Sequence, residues 1–361
     1  MHIIHVDPEM GFSGGEVQVF LLIDGLVERG HTCTVVAQPG SAVEKAARER
    51  YLPTVSLPMR ADWDVIAVRK LTRILAKAWP DVVHVHTGRA NWLGGWAAHR
   101  VGLPVVSTRR MDRLVKRNWK NGRIYGSFVT QTAAISPAVL KQLHEGGVLP
   151  HSTELIWSVV DPARLKPTRM RAEVRRDLEV QDDRALVLAA GALVPRKGYD
   201  SLVRAISRLQ KRPVLCIAGG GPDRIALQAL AAELGAGDCV RFLGKRSDMP
   251  NLLAAADLFA MPSHAEGLGI AALEAMAVGL PVLGSAVGGL KDLIVNGETG
   301  LLLPPGDVDA WAIALEQISA DPKWRRSMGQ AGLRRVQESF LPGRMVDGYE
   351  KLYRKALERR E

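Results

Sequence analysis

The stretch DLFAMPSHAEGLGIAALEAMAVGLPVLGS, residues 257–285, reads in succession as strand, glycine-bearing loop, helix and strand. DLFAMP (257–262) and PVLGS (281–285) are short apolar runs without alternation, as strands buried on both faces are. Between them IAALEAMAVGL is apolar almost all round, which suits a helix packed into a core. Strand, helix and strand at this length make the right-handed βαβ unit of a parallel sheet. In open α/β sheets ligands bind outside the carboxyl ends of the strands, so the loop directly after DLFAMP is where chemistry is expected.

The same alternation runs outward in both directions. Upstream in the same half lie ALVLAAG (185–191), PVLCIAG (213–219) and CVRFLG (239–244), and downstream TGLLLP (299–304). The first half carries HIIHV (2–6), CTVVA (33–37), DVVHVH (81–86), LPVVST (103–108) and QTAAIS (131–136), with helical patterns between them. The break at WSVVDPARLKPT (157–168), with two prolines and no clear period, separates two parallel α/β domains, 1–160 and 161–342. A final amphipathic helix, 343–361, has Met345, Tyr349, Leu352 and Leu357 as its expected buried stripe. The expected fold class is α/β, with two doubly wound Rossmann-like domains.

With 361 residues, 47% hydrophobic and 24% charged, the chain has the composition of a globular protein with a core in each half. No run of about 18 apolar residues escapes a charge or breaker, and MHIIHV lacks a leader's basic start, so a cytoplasmic protein is expected. Cys33, Cys216 and Cys239 have no metal spacing and read as buried reduced thiols. The formal charge of +10 favours anionic partners without choosing among them.

Three strand ends carry candidate chemistry. In PSHAEGLGIAALEAMAVGLPV (262–282), Glu266 and Glu274 flank Gly267, Leu268 and Gly269. If Gly269 opens a helix, the first helical N–H groups face an anion, and eight helical residues span about 12 Å. That is comparable with the reach from a sugar across a diphosphate to a ribose. A carboxylate without a partner in so apolar a helix would be costly, which favours a ligand-binding Glu274. In AAGALVPRKGYDSL (189–202), Arg196 and Lys197 precede Gly198 and supply two cations for a diphosphate leaving group. In FSGGEVQ (12–18), Gly14 and Gly15 allow backbone N–H groups to approach a phosphate or a sugar. AGGGPD (218–223) lacks the GxGxxG spacing and a following ribose-binding acid, which argues against a nicotinamide dehydrogenase.

The order GG…RKG…GGGP…FLG…EGLGIAALEAMA…GLPV…GG…NG.TG resembles the retaining glycosyltransferase family 4 over essentially the whole chain. The resemblance implies a GT-B fold, two Rossmann-like domains facing each other across a cleft, the first acceptor-side and the second nucleotide-sugar-binding. It also implies a UDP-, GDP- or ADP-linked sugar donor, retention at the anomeric carbon, no cofactor and no metal. Carried over, Glu266 with Gly267, Leu268 and Gly269 holds the donor sugar, Glu274 the ribose, and Lys197 with Arg196 the diphosphate. Arg246 and Asp248 fall where the family contacts the base. Gly14 and Gly15 fall in the loop facing the donor phosphate and acceptor, and the last helix crosses back onto the first domain.

Two departures stand out. Many members have an arginine where this chain has Ala192, and Arg196 is its expected substitute. Many also have a histidine after the strand that here reads VVSTRRMD, where Arg110, or Arg109, stands instead, with His84 and His86 as alternatives. The segment RRMDRLVKRNWKNGR (109–123) has seven basic residues, one acid and a tryptophan. Besides a solvated face, it suits an anionic glycan, a lipid-linked acceptor or peripheral contact with an anionic membrane. No nucleic-acid module accompanies it. The rival reaction class is a nucleotide-sugar epimerase on the same fold, and the third reading is a non-enzymic binding module.

Overall fold

Every strand anticipated from the apolar runs is present in the computed structural model, which describes residues 1–358. In chain order the strands are β1 His2–Asp7, β2 Thr32–Ala37, β3 Thr54–Ser56, β4 Val82–Val85, β5 Val105–Arg109, β6 Gln131–Ala134 and β7 Thr153–Leu155. They are followed by β8 Leu186–Ala190, β9 Val214–Ala218, β10 Val240–Gly244, β11 Leu258–Met261, β12 Val282–Ser285 and β13 Gly300–Leu303. The first seven form one sheet in the order β3-β2-β1-β4-β5-β6-β7, the last six another in the order β10-β9-β8-β11-β12-β13, and every pairing is parallel.

The sequence reading missed β3 and β7. Each is three residues long and closes one edge of the first sheet, where partial exposure leaves no continuous apolar run to detect. The central strands read differently: β8 and β9 are buried at every position, because helices cover both faces of a parallel sheet.

The chain divides into two units, Met1–Ser158 with the C-terminal segment from Pro342, and Val159–Leu341. Each sheet has its own topological switch point, between β1 and β4 in unit 1 and between β8 and β11 in unit 2, where flanking loops diverge and leave a crevice for a ligand. The three cysteines are free and buried, and burial raises all three thiol pKa values.

The C-terminal helix, Pro342–Glu358, belongs to unit 1; positions 359–361 of the expected helix lie outside the described residues. Its buried stripe is Met345, Val346, Tyr349, Leu352, Tyr353 and Ala356, while Leu357 is only half-buried. Val346 packs so closely on Gly25 of the helix Gly14–Glu28 that a Cβ there would meet it at 2.6 Å. Arg29 pairs with Asp347 at 2.7 Å and Glu350 at 3.0 Å at the rim of this contact.

Candidate active site

In unit 2 the loops after β8 and β11 lie on either side of the switch point and are stitched together. His264 N–H donates to the Arg196 carbonyl at 2.8 Å. Gly198 (φ +64°) sits against the Pro262 carbonyl, where a Cβ would come within 2.1 Å. Only glycine satisfies both the left-handed backbone and this approach, and that explains the Lys-Gly pair. The stitching turns Lys197 inward, and its ammonium meets the Glu266 carboxylate at 2.5 Å, with Ser263 Oγ donating to the same oxygen at 3.2 Å. Lys197 is buried and Glu266 half-buried. An ammonium has three donors, so one bond to Glu266 leaves others for a phosphate or hydroxyl.

The segment after Glu266 turns sharply at Gly269 (φ +96°), which caps the helix Ile270–Ala277. The Glu266 carbonyl accepts from Gly289 N–H at 3.1 Å, pinning this turn to the loop after β12. The N–H groups of the helix's first turn have no carbonyl inside the helix to donate to and suit an anion. Glu274 lies on the second turn, half-buried, and burial raises its pKa from 4.5 to about 7 against the opposing charge of Arg164. A helix does not connect the two glutamates throughout. Only the part from Ile270 onward is helical, so the 12 Å helical rise expected between them is replaced by a turn and a single helical turn.

In unit 1 the loop after β1 opens the helix Gly14–Glu28 through a capping box. Ser13 N–H donates to Glu16 Oε2 at 2.6 Å, and Gly15 N–H donates to Ser13 Oγ at 3.3 Å. The Gly15 N–H expected to face a phosphate is thus engaged by the cap. Gly15 lies beside Arg110: a Cβ there would sit at ordinary contact distance, 3.7 Å, from Arg110 Cδ. Arg110 donates to the His86 carbonyl at 3.0 Å and faces His86 Nδ1 at 3.5 Å.

Beneath Arg110 lies a cluster that the sequence only hinted at. His5, His84 and His86 are all buried, with ligand-capable nitrogens within 4.8 Å of one another. Five of their six nitrogens are engaged: His5 Nδ1 with His86 Nε2 at 3.0 Å, His84 with Tyr353 Oη at 2.7 Å and Thr108 Oγ1 at 2.8 Å, and His86 Nδ1 with the Arg110 guanidinium at 3.5 Å, while His5 Nε2 is buried without a partner. Burial holds all three below the ordinary histidine pKa and therefore neutral near pH 7. His84, considered as an alternative to a catalytic histidine, is thus a clamp for the C-terminal helix, and His86 supports Arg110.

Asp7 was missed altogether. Burial pushes its carboxyl up to about 6, against the Glu9 N–H that donates to it at 3.0 Å. An acid ending the buried strand HIIHVD was the available signal.

The chain matches the family described as Glycosyltransferase Family 4 over residues 12–164 and that described as Glycosyl transferases group 1 over residues 170–335. It is 32% identical over 310 residues to the D-inositol 3-phosphate glycosyltransferase of Salinispora arenicola, a match that covers 77% of this chain and 69% of that one. The chain belongs to glycosyltransferase family 4. A second relative, the lipopolysaccharide core biosynthesis glycosyltransferase LpsE of Rhizobium meliloti, is 29% identical over 95% of this chain and 96% of its own. Among solved structures, Anabaena HepE in complex with UDP superposes with a TM-score of 0.87 at 20% identity, covering 97% of this chain and 99% of its own. The fold is GT-B, built of two Rossmann-like domains. Family members are nucleotide-sugar-dependent transferases, and nothing in these similarities supports the epimerase reading.

Within this glycosyltransferase, the remaining expected residues fall as follows. Arg196 is exposed on the β8 loop beside buried Lys197. Arg246 and Asp248 face each other in a two-pronged ion pair, Nε to Oδ1 at 2.7 Å and Nη2 to Oδ2 at 2.6 Å, which lowers the Asp248 pKa. The basic segment 109–123 includes charges that are not spare. Lys120 pairs with Asp62 at 2.6 Å, and Arg117 donates to the Glu145 carbonyl at 3.1 Å.

Proposed function

We propose that this enzyme moves a sugar, with retention, from a nucleoside-diphosphate sugar to a hydroxyl of an anionic glycan or lipid-linked acceptor, without a metal or other cofactor. The observation that supports this most is the unit 2 arrangement at the switch point. Buried Lys197 joins Glu266 beside the N-terminus of the helix that carries Glu274, and Arg196 stands exposed on the same loop. Carboxylates suit sugar and ribose hydroxyls, while cations and first-turn N–H groups suit a diphosphate. In this assignment Glu266 with Gly267, Leu268 and Gly269 binds the sugar, Glu274 the ribose, and Lys197 with Arg196 the departing diphosphate. Arg246 and Asp248 border the base once their mutual pair opens. In unit 1, Arg110, held by His86, is the cation proposed in place of the family's histidine.

The reaction is a front-side displacement. The acceptor oxygen bonds to the anomeric carbon from the face the leaving group occupies, and the sugar–phosphate C–O bond breaks. Its electron pair departs with the nucleoside diphosphate, and the acceptor proton passes to a phosphate oxygen. Leaving-group stabilisation by preorganised cations and dipoles is the main contribution of the protein. The relatives named for inositol phosphate and for lipopolysaccharide core support an anionic, ring-bearing acceptor. No helix among the described residues is long and apolar enough to cross a membrane. Action in the cytoplasm, with peripheral contact to an anionic membrane through 109–123, accords with that and with the charge of the segment. A thermal-shift screen of UDP-, GDP- and ADP-sugars tests the donor assignment, because a ligand bound only by the native state raises apparent stability. Stabilisation by one donor class is expected, and no shift from any of them rejects the reading.

A further inference from the structure

The segment 109–123 carries an aromatic surface as well as charge. Trp119 stacks on Trp63 with ring centroids 5.6 Å apart and planes 28° apart, although Trp63 lies in a turn and Trp119 opens the short helix Trp119–Arg123. Both are more than half exposed, 62% and 59%. Under them lies buried Trp92, edge-on to Trp63 at 5.4 Å and to Trp119 at 5.5 Å. Trp92 in turn packs on Phe128 at 5.5 Å, inside the core of unit 1. The exposed pair therefore rests on a fixed aromatic base.

A polar edge borders this surface. Asp62 accepts from Lys120 at 2.6 Å and faces Arg89 Nε at 3.7 Å. The Lys120 ammonium also lies 5.7 Å from the Trp63 ring and 5.5 Å from the Trp92 ring, within cation–π range. The contributing segments follow β3, β4 and β5, so the surface lies at the same strand ends of the first sheet as Gly15 and Arg110.

We propose that Trp63 and Trp119 form a stacking platform for a sugar ring of the acceptor, with Asp62, Lys120 and Arg89 binding its hydroxyl groups. One face of a pyranose ring presents polarised C–H bonds that pack on the electron-rich face of an indole, while its equatorial hydroxyls need charged or polar partners at the ring's edge. The platform and its edge supply the two in one place. Exposed tryptophans beside cations also suit a bilayer interface. Here, however, Trp63 stands between Asp62 and Asp64, whose carboxylates anionic headgroups would repel, and Lys120 is already neutralised by Asp62. The inference rests on the transferase reading and specifies its acceptor as one that already contains a sugar or polyol ring.

The test compares the parent with Trp63→Ala/Trp119→Ala and with Trp63→Phe/Trp119→Phe. Binding is measured to an oligosaccharide panel that includes phosphorylated core oligosaccharides and an inositol phosphate, and to phosphatidylglycerol–phosphatidylcholine vesicles. The alanine pair should weaken the best oligosaccharide by about ten-fold or more, with the phenylalanine pair in between. Stabilisation by nucleotide sugars should be the same in all three proteins. Unchanged oligosaccharide binding in the alanine pair overturns the proposal. So does a parent that binds no panel member, or one that binds vesicles alone through these tryptophans. Failure of the donor reading has a separate signature, since no nucleotide sugar would then stabilise the parent.

Discussion

Glu274→Gln should stabilise the enzyme against unfolding while removing much of its donor binding, and the gain should grow with pH. The Glu274 carboxyl rises from 4.5 to about 7 because burial disfavours its charge. For an acid whose folded-state pKa is raised, the penalty is absent below the unfolded value and complete above the folded one. A shift of this size corresponds to about 3 kcal/mol at pH 8 and under about 1 kcal/mol at pH 5. Glutamine carries no charge at either pH, and the cost of burying its amide does not vary with pH.

The difference between glutamine variant and parent should therefore widen by about 2–3 kcal/mol from pH 5 to pH 8. For a unit of this size each kcal/mol moves the melting temperature by roughly 2–4 °C. Urea melts of both proteins across this range measure the gap directly, and all other titrating groups cancel in the comparison. A donor that hydrogen-bonds an ionised Glu274 must expel its proton, so parent affinity should rise with pH up to about 7, and the glutamine variant should lose that slope. Stability curves that stay parallel from pH 5 to pH 8 would refute the reasoning, because Glu274 would then titrate as an ordinary carboxyl.

Lys197→Met should cost stability as well as transfer, because it leaves Glu266 half-buried with Ser263 but no cation. Breaking such a pair from one side costs about 3 kcal/mol or more, and adding Glu266→Gln should restore part of it; a single variant that melts like the parent contradicts the pairing. Chelation by EDTA should leave transfer intact. Among the described residues only His5, His84 and His86 approach metal-ligand spacing, and all of their nitrogens but His5 Nε2 are engaged by one another, by hydroxyls or by Arg110. Lost turnover that manganese or magnesium restores would show otherwise.

The network under Arg110 suggests how unit 1 holds a cation where the family commonly has a histidine. Arg110 is fixed by the carbonyl and ring of His86, which is fixed by His5, while Tyr349 and Tyr353 tie the neighbouring Thr108 and His84 to the C-terminal helix. Neutral imidazoles can flank a guanidinium without opposing its charge, whereas protonated ones could not. Depression of their pKa values by burial is thus part of what keeps Arg110 in place.

The sequence by itself determined the two parallel α/β domains and the positions of their central strands, and it marked the strand-end loops to which the proposed function assigns chemistry. Those features are local: apolar runs buried on both faces, glycine where the backbone needs positive φ, and cations or carboxylates directly after a strand. The three-residue edge strands lacked that signal. Partnership was the larger omission. Lys197 and Glu266 are 69 residues apart and meet because β8 and β11 are neighbours at the switch point. His84 and Tyr353 are 269 apart and meet because the last helix returns to the first sheet. Arg246 and Asp248 were in plain view, but only coordinates show that they bind each other. Trp63 and Trp119 became one surface through a third, buried tryptophan. Strand order and side-chain pairing arise from long-range packing, which the local hydrophobic period does not encode, so those choices belonged to the tertiary structure.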